Sequence, residues 1–501
     1  MTPFGGNGVF PIRREYRNLA VALALAAAVA LAFALRLWGI ELRSLSLAEI
    51  HAPGISDPSP RQGLAETVRW HFHDDPRPMG WYVAMLGWTK AFGTSHFALQ
   101  FPGVMLAVGS IPLIFLIARS VFGSTIGCLA ALLLALHGFH IFWSQMAEMF
   151  VAGTFLSLLS TWLLLRLARA RVPRPGIEIS YIASVMAGVL TARLFWPLIL
   201  IHLFWTMLVL PRYRPETPHL SRRISLRQAP RLFQVQALAC ILSAPALIHA
   251  VYHASRGAGI GLPCDFLMGY FSFGFLFAKD EFAVSPLQIG PAPSGFLLAF
   301  ALLLLTASLK APKREAPLAS PERKIPIRVL ASAAICSAGF MFWLAPSPHN
   351  QILTLTILPI LPFLALLFPV LGTIWGAFVP RLPSATLHYP QERTLLLWLL
   401  AVVTPLILFA TSNPARPTLL IFVPYLLILC AAGAIWLFQS IGLRLVVTLL
   451  CLLVFTASVP CAAQKPVITD ARRGALSGYE KTLKIEKLQA HAELFEPGAK
   501  P

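Results

Sequence analysis

The sequence predicts an all-α polytopic membrane protein with a bundle of about thirteen transmembrane helices, and three observations support this fold class. Hydrophobic residues make up 57% of the 501 residues and charged residues only 12%, about half the charged share of a soluble domain. Apolar stretches of about 17–22 residues recur, which is the length that spans ~30 Å of hydrocarbon. Basic residues cluster in the short segments between these stretches. Because lipid offers no hydrogen bonds, each span should be a helix.

The predicted spans connect alternately on the two sides of the membrane. They lie near residues 18–38, 97–118, 125–141, 150–167, 178–192, 194–210, 234–253, 293–308, 328–345, 351–372, 394–411, 417–437 and 443–460. More than half of the basic residues, but fewer than a third of the acidic ones, fall in the loops that lie on the same side of the membrane as the N-terminus. This excess predicts a cytoplasmic N-terminus and a periplasmic C-terminus in a bacterial inner membrane. It also accounts for the net charge of +19 without a nucleic-acid partner.

The span pattern divides the chain into three regions. An N-terminal membrane core, residues 1–210, contains the first outer loop at 39–96. More variable spans at 211–460 contain a second outer loop at 254–292, and residues 461–501 form a short periplasmic tail. Two of the cysteines, Cys264 and Cys461, fall near the oxidising side, where a disulfide between them is possible.

An apolar segment at 79–93 is too short to span the bilayer, and Lys90 interrupts it. If it did span, the charge asymmetry of the following loops would be lost. We therefore predict an interfacial helix within the first outer loop, with Trp81, Tyr82 and Trp88 at the level of the lipid headgroups.

The first outer loop concentrates ionisable side chains directly after the first span. Its acids include Glu49, Asp57, Glu66, Asp74 and Asp75, and its basic groups include His51, His71, His73 and Arg77. Acids are costly to place next to a membrane and often mark a site for a polar substrate. The alternative is a merely solvated loop. The three histidines could hold a divalent metal with one of the aspartates, but loop histidines are common and no cofactor is predicted.

Five short motifs follow one another in this part of the chain. They are SLSLAE at 44–49, DPRPMGWY at 75–82, FG with FALQFP at 92–102, RSVFG at 119–123 and FHIFWSQMAEMF at 139–150. In order and spacing the set resembles the GT-C class of glycosyltransferases that use polyprenyl-phosphate sugars. The similar families are the protein O-mannosyltransferases, the aminoarabinose transferases and the lipopolysaccharide-core sugar transferases. Beyond residue 210 only the architecture is similar.

The chain departs from the family pattern at polar positions. The leading aspartate of the first motif is Ala48, and the histidine of the second is Arg77. The glutamate and arginine of the last motif are Met146 and Glu148. The arginine–tyrosine pair that these families carry near the outer end of a late helix has no clear counterpart. Its nearest substitutes are His349, Asn350, and Arg416 with Tyr425.

Sugar transfer from a lipid phosphate requires a carboxylate that takes or orients the acceptor proton. It also requires cations that stabilise the departing phosphate. The resemblance implies a base at the position of Ala48, so we predict Glu49, the surviving acid of the motif, as the catalytic base. Glu148 is predicted to face the same compartment as a second catalytic carboxylate. Predicted substrate-binding residues are Asp74, Asp75, Arg77, Lys90, Arg193, His349 and Arg416. For Arg193 an anchoring role at the membrane surface is an equal alternative.

The predicted function is a membrane glycosyltransferase that moves a sugar from a polyprenyl-phosphate donor to an envelope glycan, lipid or protein on the periplasmic side. The alternative is a catalytically degenerate GT-C-like scaffold or lipid-binding protein, which Ala48 favours. A transporter fits less well, because paired halves with broken helices are not evident in the sequence. The expected partners are the donor, the acceptor and membrane lipid.

Overall fold

The computed structural model describes residues 14–40, 79–170, 173–192, 195–209, 231–246, 270, 301, 304–305, 307–309, 389–405 and 416–440. These residues form helices joined by short turns, and no strand occurs among them. The predicted all-α fold class is therefore confirmed.

The described helices follow the predicted spans closely. They are α1 (Arg14–Leu37), α2 (Met79–Phe92), α3 (His96–Val121), α4 (Ser124–Ala135), α5 (Gly138–Ser144), α6 (Phe150–Arg169), α7 (Pro175–Thr191), α8 (Trp196–Val209), α9 (231–246), α10 (Tyr389–Trp398) and α11 (Val423–Ser440). A π-helical turn, Leu399–Val403, continues α10, and a short 3-10 helix, Arg416–Ile421, precedes α11.

Several of these helices can cross a bilayer. Within the described ranges, Asn18–Leu37, His96–Val121 and Phe150–Arg169 are long and apolar enough to span alone, and α4 with α5 makes a fourth candidate. The chain is thus a multi-pass membrane protein. The predicted spans at 328–345, 351–372 and 443–460 lie outside the described residues, as do the second outer loop, the tail, Cys264 and Cys461. The count of thirteen spans, the division at residue 210 and the orientation stay predictions.

The third predicted span, 125–141, is helical but not straight. It is broken into α4 and α5, which meet at an angle of 57°. His137 caps the start of α5, because its Nδ1 accepts a hydrogen bond of 3.2 Å from the backbone N–H of His140. A side chain that accepts from the first turn of a helix favours a new helix start at that point.

Helix α3 lies at the centre of the described bundle and packs against α1, α4 and α6, while α6 packs against α7 and α11 against α4. Because α3 and α6 are separated by one bent span, they run parallel. Both begin at one end of the bundle, which we call the outer end, and both finish at the opposite, inner end. The outer end corresponds to the predicted periplasmic side.

A chain of polar side chains crosses the apolar interior. The hydroxyl of Tyr425 on α11 lies 2.7 Å from both the Ser157 and Thr161 hydroxyls on α6. Thr161 in turn contacts Nε2 of His202 on α8 at 3.1 Å, and Nδ1 of His202 contacts the Tyr181 hydroxyl on α7 at 3.2 Å. Interhelical hydrogen bonds of this kind link helices within a membrane. Tyr425, one of the nearest substitutes for the tyrosine of the family pattern, is thus buried inside the bundle.

The helix predicted at 79–93 is present as α2, and it is not among the spanning candidates. Its aromatic residues, however, face the protein: Trp81 and Tyr82 are buried, and Trp88 donates from Nε1 to the carbonyl of Ala98 at 2.7 Å. Trp81 and Tyr82 thus pack on neighbouring helices, for which an indole and a phenol supply large apolar surfaces, and their placement at headgroup level stays a prediction.

Candidate active site

Glu148 lies in the tight turn between α5 and α6, residues 145–149, which we call the Glu148 turn. Only 6% of Glu148 is exposed. It immediately precedes Met149, the N-cap of α6. The N-terminus of a helix carries a partial positive charge that favours a carboxylate. The backbone therefore provides a favourable position for a buried acid at the outer end of the bundle.

The end of α1 is tied to the same turn. Nε2 of Gln145 donates to the carbonyls of Arg36 and Trp38, each at 3.0 Å. These carbonyls belong to the final residues before the first outer loop. The loop therefore begins beside the Glu148 turn.

Helix α2 returns to the turn from the other end of the loop. Nε1 of Trp81 donates to the Ala147 carbonyl at 3.1 Å. Trp81, Tyr82 and Met85 form an apolar cluster with residues of α3, the turn and α6, namely Leu99, Ala147, Met149 and Ala152. The Glu148 turn is thus contacted at both ends of the segment 41–78, which contains most of the ionisable residues of the first loop.

Two glycines allow backbones to approach closely around the turn. A Cβ on Gly103 of α3 would lie 2.7 Å from the Ser144 oxygen and 3.2 Å from the Met146 oxygen. A Cβ on Gly80 of α2 would lie 2.7 Å from the Leu190 oxygen near the end of α7. Both positions need a residue without a side chain. They hold α3 and α2 against the outer ends of their neighbours.

A buried cation lies beneath the turn. Arg36, fully buried, donates from Nη1 to the carbonyls of Ala32 and Ala135, each at 3.0 Å, and from Nη2 to the Leu134 carbonyl at 3.1 Å. Its Nη2 also lies 2.8 Å from Nδ1 of His140. Leu134 and Ala135 end α4, so the guanidinium caps a helix C-terminus, where a positive charge is favoured. Arginine can only donate, so Nδ1 of His140 accepts and the ring proton lies on Nε2.

Of the buried polar groups near the outer end that have no hydrogen-bond partner among the described residues, three lie in the sequence motifs. They are the side-chain amide of Gln100, Nε2 of His140 and Nε1 of Trp143. Buried polar groups in native proteins are almost always satisfied by protein, water or a ligand. Gln100 stands where the family motif has an arginine, and His140 and Trp143 lie in the last motif. These atoms are therefore available to a polar molecule or to other parts of the chain.

Two further elements reach this end of the bundle. The short helix Arg416–Ile421 contacts α5 and α6, and a Cβ on Gly153 would lie 3.4 Å from Cδ1 of Ile421. The same Cβ would lie 2.8 Å from the Cβ of Ala192, the C-cap of α7. The backbone of Arg416 thus belongs to a helix beside the Glu148 turn, and Arg193 directly follows Ala192 in the chain.

The remaining predicted site residues have different outcomes. Lys90 is exposed in the last turn of α2, about 13 Å along the helix from Trp81 at 1.5 Å per residue, so the structure does not bring it to the Glu148 turn. Six others lie outside the described residues: Glu49, Asp74, Asp75, Arg77, Arg193 and His349. The possible metal ligands His51, His71 and His73 lie outside them too. Within the described ranges no cluster of three metal-ligating side chains occurs.

Sequence reasoning missed Arg36 and the role of Gln145. The available signal for Arg36 was a basic residue at the end of an otherwise apolar span, which often faces the protein interior. No local pattern indicated that Gln145 would bind the end of α1, because its partners precede it by more than a hundred residues.

Solved structures similar in fold are membrane glycosyltransferases. The archaeal oligosaccharyltransferase AglB from Archaeoglobus fulgidus, in complex with an inhibitory peptide and a dolichol-phosphate, is 13% identical with a TM-score of 0.46. The match covers 89% of this chain and 56% of AglB, so the chain spans about half the length of that protein. ArnT from Cupriavidus metallidurans in the apo state is 14% identical with a TM-score of 0.34, covering 83% of this chain and 77% of ArnT. No curated protein matches significantly in sequence.

The family match falls on the part of the chain that builds the site. Residues 74–223 match the family model described as dolichyl-phosphate-mannose-protein mannosyltransferase. This range contains α2 to α8, the Glu148 turn and four of the five motifs. The resemblance to the GT-C glycosyltransferases is thereby confirmed.

Proposed function

We propose that this protein is a membrane glycosyltransferase that moves a sugar from a polyprenyl-phosphate donor to an envelope glycan, lipid or protein on the periplasmic side. The family match over residues 74–223 supports this class of enzyme. One of the solved structures similar to the chain is ArnT bound to undecaprenyl phosphate. The donor we propose has this kind of lipid carrier.

The observation that carries the proposal is the convergence on the Glu148 turn. Gln145 donates hydrogen bonds to the last carbonyls before the first outer loop. Trp81, near the other end of that loop, donates one to the Ala147 carbonyl. The buried residue Glu148 directly follows Ala147 in the same turn. A loop that starts and ends beside an acid can cover it and exclude water from it.

In the proposed reaction, a hydroxyl oxygen of the acceptor attacks the anomeric carbon of the donor sugar. The bond between that carbon and the phosphate oxygen breaks, and polyprenyl phosphate leaves. The proton of the acceptor hydroxyl passes to a carboxylate, Glu49 or Glu148. Arg77, Arg193 and Arg416 are the proposed contacts of the leaving phosphate, with Asp74 and Asp75 on the sugar or acceptor. In this proposal the cations balance the phosphate charge in place of a divalent metal, so activity is expected to persist in EDTA, whereas its loss would indicate a metal site.

The test uses the full chain in liposomes with envelope membranes as the acceptor source. Undecaprenyl phosphate carrying labelled mannose, glucose or aminoarabinose serves as donor, and label transfer and free undecaprenyl phosphate are measured. We expect transfer from at least one donor and a loss of about 10²–10⁴-fold in Glu49→Gln/Glu148→Gln, which removes both candidate carboxylates, as for removal of a general base. Glu178→Gln is the matched control, because Glu178 lies in the first turn of α7 at the inner end, paired with Arg231. Transfer from none of the donors, or equal rates in both variants, would overturn the proposal.

A catalytically degenerate scaffold is the second candidate, and Ala48 at the position of the family's aspartate favours it. The two candidates differ in vivo. If Glu49→Gln and Glu148→Gln leave the envelope glycans unchanged whereas deletion of the gene alters them, the protein acts without catalysis. In an active enzyme, Ala48→Asp should raise the rate if the alanine reflects decay of the motif.

A further inference from the structure

A second polar site lies at the inner end of the bundle, opposite the Glu148 turn. A cavity of about 230 Å³ opens between the C-terminal ends of α3 and α6. Three of the residues that line it are arginines, Arg119, Arg166 and Arg169, and no acidic residue is among the lining residues that the structure describes. All three are exposed, so the cavity is accessible from outside the protein.

The arginines are held in place by specific contacts. Nη2 of Arg169 donates to the Ser120 carbonyl at 2.6 Å, near the C-terminus of α3. The guanidinium carbon of Arg166 lies 4.9 Å from the centre of the Trp162 ring, and that of Arg119 lies 5.8 Å from the Phe115 ring. Stacking on an aromatic face is a favourable arrangement for arginine. The positive charges are thus directed around one cavity.

A fourth arginine approaches from a distant part of the chain. Nη1 of Arg393, on α10, donates to the same Ser120 carbonyl at 3.1 Å. Arg393 is buried. Two guanidinium groups therefore share the carbonyl oxygen of Ser120, a residue that lines the cavity. The like charges of the three lining arginines, Arg119, Arg166 and Arg169, repel one another, and an anion placed among them would relieve this repulsion.

The position in the membrane indicates which anion is available. Arg119 lies in the last turn of α3, and Arg166 and Arg169 lie in the last turn of α6, at the ends of two candidate spans. Trp162 is a residue type enriched at the level of the lipid headgroups. Basic pockets between transmembrane helices at this depth bind the headgroups of anionic lipids.

We propose that the arginine cavity binds the phosphate group of an anionic phospholipid, with Arg166 and Arg169 as the principal contacts. The planar guanidinium suits this role because it can donate two parallel hydrogen bonds to phosphate oxygens. The site is separate from the proposed sugar-transfer site, and it holds whether or not the protein is a glycosyltransferase.

Native mass spectrometry of the full-length, detergent-purified protein, titrated with phosphatidylglycerol and with phosphatidylcholine, tests this site. We expect preferential binding of phosphatidylglycerol and a loss of affinity of about 25-fold in Arg166→Gln/Arg169→Gln, at about fivefold for each arginine. The control is Arg174→Gln/Arg231→Gln, where Arg174 is the N-cap of α7 and Arg231 pairs with Glu178 in its first turn. It removes the same charge outside the cavity and should change affinity less than about twofold. Arg166→Lys/Arg169→Lys keeps the charge, is less disruptive to folding, and should give an intermediate loss.

Three outcomes would overturn the proposal. One is unchanged binding of phosphatidylglycerol in Arg166→Gln/Arg169→Gln. Another is an equal loss of phosphatidylglycerol affinity in the control variant, which would indicate that the lipid is attracted to the positive charge of the inner end in general. The third is thermal stabilisation of the wild type by inorganic phosphate alone that the cavity variant lacks, with no preference among lipids, which would indicate a site for free phosphate.

Discussion

Replacement of Arg36 should destabilise the protein strongly, because its guanidinium joins α1 to the break between α4 and α5. In Arg36→Met the side chain keeps similar bulk but loses its donors to Leu134, Ala135 and His140. The Leu134 carbonyl retains a second donor, the N–H of His137 at 3.3 Å. The main losses are therefore the bonds to the Ala135 carbonyl and to the imidazole.

The magnitude follows from these two bonds. A hydrogen bond to a charged group contributes about 1.5–3 kcal/mol, so two contribute about 3–6 kcal/mol. Removal of the buried charge also recovers part of the cost of its desolvation. We therefore expect a loss of about 3 kcal/mol in the free energy of unfolding. Replacement by a hydrophobic residue does not avoid this loss, because both partners, the Ala135 carbonyl and the His140 imidazole, remain in place.

The measurement is SDS-induced unfolding in mixed micelles, followed by circular dichroism. The matched control is Leu23→Ala, a substitution on the exposed side of the same helix, which should change stability by less than about 0.5 kcal/mol. The stability of Arg36→Lys should lie between those of Arg36→Met and Leu23→Ala, since an ammonium group keeps the charge but not the paired donors of the guanidinium. If Arg36→Met and Leu23→Ala unfold at the same SDS concentration, Arg36 does not hold the outer end of α1 as described.

Two further perturbations test the packing of the site and of the bundle. Gly103→Ala places a methyl group 2.7 Å from the Ser144 oxygen, so it should displace the Glu148 turn and lower sugar transfer about tenfold or more. Gly87→Ala, which meets nothing within 4 Å on α2, should leave the rate unchanged, and equal rates in both variants would show that the turn tolerates displacement. Tyr425→Phe removes the hydroxyl shared by α6 and α11 and should cost about 0.6–1.7 kcal/mol by SDS unfolding. Unchanged stability would mean that this hydroxyl does not link the two helices.

The sequence predicted the helices well because their signal is local. Apolar length and basic connections mark each span, and α1, α3 and α6 match their predictions within a few residues. The bend between α4 and α5 was missed because it depends on how one side chain, His137, caps a helix. Hydropathy is averaged over a whole span, so it does not detect a single capping side chain.

The site was predictable only in part. The chemistry of sugar transfer indicated an acid near the membrane surface, and the motif order indicated Glu148. Its burial, and the contacts of Gln145 and Trp81 that surround it, depend on residues far apart in the chain. Such pairings leave no periodic pattern in a single sequence. The arginines of the cavity contributed to the prediction only through the charge asymmetry, because the convergence of Arg169 and Arg393 on Ser120 requires the folded bundle.

The most direct test of the central claim is the distance between the two proposed catalytic carboxylates. In a protein whose native cysteines are replaced by serine, Glu49→Cys and Glu148→Cys are combined and treated with a short bifunctional thiol reagent. Peptide mass spectrometry should then find the two positions covalently linked within one chain. The absence of this link, in protein whose single-cysteine variants each react with a monofunctional reagent, would contradict the claim that the first outer loop closes over the Glu148 turn.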